Sequence, residues 1–196
     1  MFRNRFATVA IGATLMSISA LAQEDYTQYK SEASVQALDS FVKGTTQNGV
    51  QQNASNSGGV VASYRFYFDR HSGVEANYAW APNTERYNQF GVNTNSQEAS
   101  AAYVFRMPMK HWAPFVLAGA GALIFDPKNF AGASTQGRAA FVYGAGADVN
   151  LTDHLFLRGE YRGFVYNSPT YDLAALNGLD RVTHRAEPSI GFGWRF

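Results

Sequence analysis

Apolar and polar residues alternate along much of this chain with a period of two. In the last seven residues, Ile190, Phe192, Trp194 and Phe196 share one face, and Gly191, Gly193 and Arg195 share the other. Successive side chains of an extended strand point to opposite faces, so this alternation predicts a β-strand with one apolar face. The same pattern predicts eight strands, at residues 32–42, 60–68, 74–80, 97–105, 115–125, 139–149, 155–166 and 183–196.

The connections between these strands alternate in length. Three are short, at residues 69–73, 106–113 and 150–154, and four are longer, at residues 43–59, 81–96, 126–138 and 167–182. This order is typical of an up-and-down barrel with tight turns at one end and loops at the other. The long loops are rich in Asn, Gly, Ser and Thr, which do not pack a core, so we expect a mobile surface there. The predicted fold is all-β: an eight-stranded antiparallel up-and-down transmembrane β-barrel.

Composition indicates that the aromatic rows of these strands face lipid. The four lysines, Lys30, Lys43, Lys110 and Lys128, all lie in predicted loops, turns or strand ends, whereas a water-facing barrel would carry lysines at mid-strand. The opposite faces carry small residues and a few charges, which suit the narrow interior of eight strands. A secreted soluble barrel is the alternative. The facing of the first and fifth predicted strands stays open, because the first is irregular and the fifth is apolar on both faces.

Short turns determine which residues oppose each other inside the predicted barrel. Arg65 opposes Glu75 across the first short turn, and Asp148 opposes Arg158 across the third. Charged groups in a narrow interior must be paired, because desolvating a lone charge is costly. We therefore predict an internal salt-bridge network that fills the lumen. Its members are Arg65, Glu75, Glu98, Asp148, Arg158, Glu160, Arg162, Glu187 and Arg195.

The N-terminal residues have the features of a secretory signal peptide. Two arginines precede a mostly apolar stretch at residues 7–20, and the Ala-Leu-Ala at residues 20–22 is a small-x-small cleavage site. We predict a signal peptide at residues 1–22 and one barrel domain at residues 23–196. An N-terminal membrane helix is the alternative.

Four stretches of the chain resemble those of a known family. They are GVEANY at residues 73–78, APFVLAGAG at 113–121, LRGEYRG at 157–163 and GFGWRF at 191–196. With the predicted signal peptide, they make the chain similar to small outer-membrane β-barrel proteins of the opacity-antigen and outer-membrane-protein-A transmembrane type. The resemblance implies a bacterial outer-membrane location, contact with outer-membrane lipid, and insertion by the barrel assembly machinery with periplasmic chaperones. It also implies that the row Ile190, Phe192, Trp194 and Phe196 is the assembly signal.

Candidate catalytic chemistry is sparse. The four histidines are His71, His111, His154 and His184. The first three lie in predicted short turns and the fourth lies at the opposite end of the barrel, so they do not form one site. We interpret Glu98, Glu160 and Glu187 as ion-paired structural residues rather than acid–base groups. No two histidines have metal-ligand spacing, and we predict no metal and no cofactor.

These observations favour a non-enzymatic integral outer-membrane protein with a structural or surface-interaction role. That role is envelope integrity, adhesion or partner binding through four outer loops, where an extracellular ligand would bind. The first alternative is a narrow pore for ions or small solutes, gated by Arg65, Glu75, Arg158 and Glu160; the second is a lipid-modifying outer-membrane enzyme. The formal net charge of +1 gives no sign of nucleic-acid binding, and the lack of cysteine excludes disulfides and cysteine-based metal sites.

Overall fold

The computed structural model describes residues 29–43, 45–47, 50–54, 57–87, 90–127, 135–167 and 182–196. The strands are β1 (Ser31–Val42), β2 (Thr45–Gln47), β3 (Val50–Ala54), β4 (Ser57–Tyr67), β5 (Ser72–Tyr87), β6 (Phe90–Arg106), β7 (Trp112–Pro127), β8 (Gln136–Asn150), β9 (Leu155–Asn167) and β10 (Val182–Arg195). This part of the chain contains no helix that is long and apolar enough to cross a membrane. The predicted signal peptide lies outside the described residues, and the division into two segments stays a prediction.

Eight long strands form a closed antiparallel barrel, which confirms the predicted fold class. Each pairs with its neighbour along the chain, and β1 pairs with both β4 and β10 to close the sheet. Closure removes the exposed edges that an open sheet would leave. The register places Arg65 opposite Glu75 and Asp148 opposite Arg158, as the short turns predicted.

The two ends of the barrel differ. We call the end that carries the connections at residues 68–71, 107–111 and 151–154 the short-turn end, and the opposite end the long-connection end. At the short-turn end, Ser31 and Phe196 exchange backbone hydrogen bonds of 3.2 and 2.9 Å between N and O. The first and last strands are therefore joined down to their final residues.

Two of the predicted loops are wrong in part. The segment at residues 43–59 contains β2 and β3, and most of the segment at residues 81–96 belongs to β5 and β6. β5 and β6 pair from Ser72–Phe105 as far as Tyr87–Phe90, and β3 pairs with β5 beside them. The sequence predicted loops here because segments rich in Asn and Thr form no apolar face. Backbone hydrogen bonds to a neighbouring strand stabilise an extended chain without that face.

The structure determines the facing of the two strands that the sequence left open. In β1, Glu32 and Gln36 point into the lumen, whereas Val35 is 64 % exposed on the outer surface. In β7, Phe115 and Phe125 are buried inside. The lumen therefore has an apolar region along part of its wall, whereas the sequence predicted only a polar interior.

Apolar side chains fill the lumen beside its charged residues. The larger cluster comprises Ala102, Val104, Phe115, Leu117, Leu123, Phe125, Ala140, Val142, Phe164 and Tyr166, all from β6 to β9. A second cluster, from β1, β4 and β5, comprises Leu38, Val61, Ala79 and Ala81. Side chains of both kinds thus occupy the interior of the barrel, as expected for eight strands.

A glycine in β10 makes room for one of the lumenal rings. Gly193 is opposite Phe156, and a methyl group added at Gly193 would overlap the Phe156 ring. The ring itself lies under the guanidinium groups of Arg158 and Arg195, whose Cζ atoms are 4.9 and 4.5 Å from its centroid. The ring cannot shift without disturbing both arginines.

We expect Gly193→Ala to lower the free energy of unfolding by about 1–3 kcal/mol, because it overpacks this part of the lumen. Gly159→Ala is the matched control, since Gly159 lies in the adjacent strand with open space around its added methyl group. Its free energy of unfolding should change by less than about 0.5 kcal/mol. Urea unfolding in lipid vesicles measures both. Equal effects of the two substitutions would contradict the packing described here.

Candidate functional site

Among the described residues, twelve charged side chains are buried inside the barrel. They are Glu32, Arg65, Glu75, Glu98, Arg106, Asp148, Arg158, Glu160, Arg162, Arg185, Glu187 and Arg195. We call these residues the lumenal network. Six are arginines and six are acids, so the network is charge-balanced when all of its groups are ionised. It contains the nine residues predicted from sequence and three more.

Arg158 pairs with three carboxylates of the lumenal network. Its Nε and Nη2 donate to the two carboxylate oxygens of Asp148 at 2.7 and 2.9 Å. Nη2 also donates to Glu32 Oε2 at 2.9 Å, and Nη1 lies 3.4 Å from Glu75 Oε2. One guanidinium from β9 therefore joins β8, β1 and β5, and it uses the planar fork geometry that distinguishes arginine from lysine.

Arg65 and Glu75 form a second strong pair across the first short turn. Arg65 Nε donates to Glu75 Oε2 at 2.7 Å, and Nη2 pairs with the same oxygen. Asn77 Nδ2 donates to the other carboxylate oxygen at 2.9 Å, and Arg65 Nη1 donates to the Tyr67 hydroxyl at 3.2 Å. The guanidinium stacks on the Phe115 ring with its Cζ 4.1 Å from the centroid. An aromatic face thus stabilises a charge that the carboxylate only partly surrounds.

Glu32 accepts hydrogen bonds from three arginines at the short-turn end. Its Oε1 accepts from Arg106 Nη1 at 2.9 Å and from Arg195 Nε at 2.8 Å, and its Oε2 accepts from Arg158. The Arg106 guanidinium also lies over the Tyr67 ring, with Cζ 3.4 Å from the centroid. One carboxylate therefore connects β1 with β6, β9 and β10.

Arg162 organises the part of the lumenal network nearer the long-connection end. It donates to Glu98 Oε1 at 2.8 Å and to Glu187 Oε2 at 3.2 Å. Glu187 also pairs with Arg185, which donates to Ser96 Oγ at 2.7 Å. These contacts connect β6, β9 and β10 nearer the long-connection end than the contacts of Arg158.

Comparisons with known proteins agree with this architecture. Residues 8–196 match the family model described as outer membrane protein beta-barrel domain. The chain belongs to this family. A comparison with curated proteins finds no significant match.

Solved structures of other outer-membrane barrels share the fold. Ail, the attachment invasion locus protein of Yersinia pestis, is 21 % identical with a TM-score of 0.56, covering 87 % of this chain and 100 % of its own. OprG from Pseudomonas aeruginosa is 12 % identical with a TM-score of 0.63, covering 88 % and 99 %. Neisserial surface protein A is 12 % identical with a TM-score of 0.65, covering 85 % and 97 %. At these identities the likeness supports the fold of this outer-membrane barrel and not a particular ligand.

Sequence reasoning missed three members of the lumenal network in this outer-membrane barrel. Glu32 lies in the strand whose facing stayed open, Arg106 was assigned to a turn, and Arg185 precedes Glu187 by two residues on the same face. The alternation of inward and outward side chains could have identified all three, because each lies two residues from another inward-facing residue. Following the alternation through the first and last predicted strands, and extending the fourth by one residue to Arg106, would have included them.

The aromatic row of β10 lies on the outer surface of the barrel. Ile190, Phe192, Trp194 and Phe196 are all more than half exposed, between 51 and 59 %. Arg195, between two of them, is buried in the lumen. The proposed use of this row as an assembly signal stays a prediction.

The histidines do not come together. His71, His111 and His154 lie at the short-turn end, and His184 lies in β10 towards the other end, with its Nε2 2.7 Å from the Tyr143 hydroxyl. His154 stacks on Trp194, with ring centroids 5.1 Å apart. Across the described residues there is no cluster of three or more His, Asp or Glu side chains that could hold a metal ion.

The turn between β4 and β5 uses Asp69 as its hydrogen-bond acceptor. Asp69 Oδ1 accepts from the backbone N–H groups of His71 at 2.7 Å and of Ser72 at 2.8 Å. These hydrogen bonds hold the pKa of Asp69 below its ordinary value. His71 and Ser72 therefore belong to a structural turn in which an aspartate side chain substitutes for a backbone acceptor.

We expect Glu32→Gln to lower the free energy of unfolding by about 3 kcal/mol, because it removes the charge shared by three buried arginines. Asp39→Asn is the matched control: Asp39 lies in the same strand, outside the lumenal network, and accepts a hydrogen bond from the backbone N–H of Ser40. It should change the free energy of unfolding by less than about 0.5 kcal/mol. Urea titration of both variants in lipid vesicles measures the difference. A Glu32→Gln barrel as stable as the wild type would show that the network contributes little.

Proposed function

We propose that the protein is a closed outer-membrane barrel that acts through its outer surface, in envelope integrity, adhesion or partner binding. The observation that carries this proposal is the packed lumen. Twelve charged side chains and two apolar clusters of the described residues occupy the interior between the two ends. With the interior filled, the barrel serves as an anchor, and interactions with other molecules take place on its outside.

The ion pairs of the lumenal network oppose the passage of ions. An ion that crossed the lumen would have to separate Arg158 from Asp148 and Glu32, or Arg65 from Glu75. Separating a buried pair leaves an uncompensated charge in a poorly hydrated interior, which is strongly unfavourable. This supports a closed barrel over the alternative of a gated pore.

The strands at the long-connection end supply a surface for interaction. Among the described residues, β6 pairs with β7 as far as Thr94–Pro127, and it continues alongside β5 to Phe90. The four further residues carry the β5–β6 hairpin about 13 Å beyond that point, at about 3.3 Å per residue. The β2–β3 hairpin pairs beside it. We propose that this extended sheet faces the cell exterior, because bacterial barrels place their short turns in the periplasm.

The outer face of the barrel would contact two further partners. Its rows of exposed aromatic and aliphatic side chains suit outer-membrane lipid and its interfaces. We also propose that the β10 row is read by the barrel assembly machinery after delivery by periplasmic chaperones. A lipid-modifying activity is not part of the proposal, since His184 and Ser72 lie at opposite ends of the barrel.

Planar-bilayer conductance tests whether the barrel is closed. We expect no steady ion current from the wild type or from Glu160→Ala, because the remaining ion pairs keep the lumen filled. A porin in the same bilayer serves as the positive control. A steady wild-type current that rises in Glu160→Ala would support the narrow gated pore instead.

Epitope tags on intact cells test the orientation. A tag inserted directly after Tyr87 should bind antibody on intact cells, because it would lie at the tip of the extended sheet. The matched tag in the turn at residues 151–154 should bind only after the outer membrane is permeabilised. Labelling of the second tag on intact cells, with the first protected, would contradict the proposed surface.

A further inference from the structure

The short-turn end of the barrel repeats one backbone arrangement four times. The residue that precedes each of β1, β5, β7 and β9 accepts a hydrogen bond, through its main-chain oxygen, from the backbone N–H of the last residue of a paired strand. The N–O distances are 2.8, 2.7, 2.9 and 2.9 Å in chain order. The accepting residues are Lys30, His71, His111 and His154, and the donors are Tyr67, Arg106, Asn150 and Arg195. The fold therefore places the four accepting residues at equivalent positions around one rim of the barrel.

Each of these positions holds a side chain that carries or can gain a positive charge. We call Lys30, His71, His111 and His154 the rim ring. The whole chain contains four lysines and four histidines, so half of these eight residues occupy the four equivalent positions. Members of the ring are separated by 40 to 43 residues in the chain, so only the closed barrel brings them to one level.

The rim ring lies where the lipid-facing surface of the barrel ends. The residue pairs next to it, one position further into the sheet, are Ser31–Phe66, Ser72–Phe105, Trp112–Val149 and Leu155–Trp194. The second member of each pair is apolar and between 38 and 51 % exposed on the outer surface. One position along a strand is about 3.3 Å. The ring therefore borders the last apolar row, at the depth of lipid headgroups rather than of lipid tails.

Two imidazoles of the rim ring lean towards the outer surface of the barrel. His71 stacks on Phe105, with ring centroids 6.0 Å apart, and His154 stacks on Trp194, with centroids 5.1 Å apart. Lys30 and His111 are exposed. An aromatic face also stabilises an imidazole that gains a positive charge. The polar groups of the ring are thus presented to the membrane edge and not to the lumen.

Other polar groups near the rim ring are engaged in part. Asp69 Oδ1 accepts from the backbone N–H groups of His71 and Ser72. His154 Nδ1 lies 3.0 Å from the main-chain oxygen of Arg195, and its Nε2 lies 3.3 Å from the Tyr29 hydroxyl. The further charged groups at this rim are Arg70, Lys110 and Asp153 in the turns, Arg106 and Arg195, which are both bound to Glu32, and the main-chain end of Phe196 beside Ser31. Protonation of the three histidines adds three positive charges to this balance.

We propose that the rim ring binds the phosphate groups of anionic phospholipids in the membrane leaflet at the short-turn end. This inference deepens the proposed contact with outer-membrane lipid and rests on it. Ammonium and imidazolium groups form strong, charge-assisted hydrogen bonds to phosphate oxygens. A phospholipid matches both features of the rim, because its tails cover the last apolar row while its phosphate meets the ring. A free phosphate ion would contact the ring alone.

Solid-state NMR of the full barrel in phosphatidylglycerol bilayers, in a buffer without phosphate, tests the contact. Dipolar recoupling to lipid phosphorus should weaken the side-chain nitrogen signals of the rim ring. The guanidinium of Arg158, buried in the lumen, is the internal control and should be unaffected. No phosphorus effect on any ring side chain would overturn the proposal. Inorganic phosphate added to bilayers of a phosphate-free glycolipid should have no effect; an equal effect there would assign the ring to free phosphate instead.

Spin-labelled lipids test the preference for an anionic headgroup. At about pH 5.5, where histidine side chains ordinarily carry a charge, the barrel should immobilise labelled phosphatidylglycerol more than labelled phosphatidylcholine. The double variant Lys30→Gln/His111→Gln removes two exposed members of the rim ring and should lose most of this preference. Lys43→Gln/His184→Gln is the matched control, because it removes the same residue types at the long-connection end, where Lys43 N donates to His184 O. Equal loss in the two variants, or no preference in the wild type, would contradict the proposal.

Both experiments are independent of the orientation of the barrel in the cell. The bilayers contain the same lipids in each leaflet, so the rim ring meets them whichever end faces the periplasm. Conductance and epitope tags test the closed barrel and its orientation separately. A silent, correctly oriented barrel without phosphorus contacts would therefore remove this inference and leave the proposed function in place.

Discussion

Eight strands enclose a lumen only wide enough for side chains, and this limited space determines how the inward-facing residues are arranged. A charged side chain there has little water to solvate it and must reach a partner on another strand. Arg158 on β9 does so with Glu32 on β1, although β10 lies between these strands in the sheet. The barrel is therefore held by its backbone ladder and also by contacts across its interior.

The same lack of space explains the small and aromatic residues that accompany the charges. Gly193 leaves room for the Phe156 ring, and that ring supports the guanidinium groups of Arg158 and Arg195. Phe115 supports Arg65 in the same way. Rings and carboxylates together surround Arg65, Arg158 and Arg195, so not every guanidinium nitrogen needs to find an anion. A filled interior, in turn, leaves the outside of the barrel as the surface on which other molecules can bind.

The eight long strands and the facing of most of them could be predicted, because lipid and lumen impose opposite requirements on alternate residues. The pairing of Arg65 with Glu75 could also be predicted, because a short turn permits few alternative registers between its two strands. β2, β3 and the outer part of β5 could not be predicted, because their polar sequences have no apolar face to mark a strand. Glu32 was missed because Asp39 shares a face with Val35, Ala37 and Phe41, which makes the alternation of β1 irregular. Glu160 lies 3.6 Å from Arg162 Nε and 3.9 Å from Arg65 Nη2, beyond hydrogen-bond reach of both. Such distances across the lumen cannot be read from a linear sequence.

A double-mutant cycle between Glu32 and Arg158 tests the central claim most directly, namely that the lumenal network couples strands that are not neighbours in the sheet. Glu32→Gln, Arg158→Met and the double variant would be unfolded by urea in lipid vesicles. The contact at 2.9 Å predicts a coupling energy above about 1 kcal/mol. Additivity within about 0.5 kcal/mol would contradict it, and would mean that the backbone ladder alone holds the barrel together.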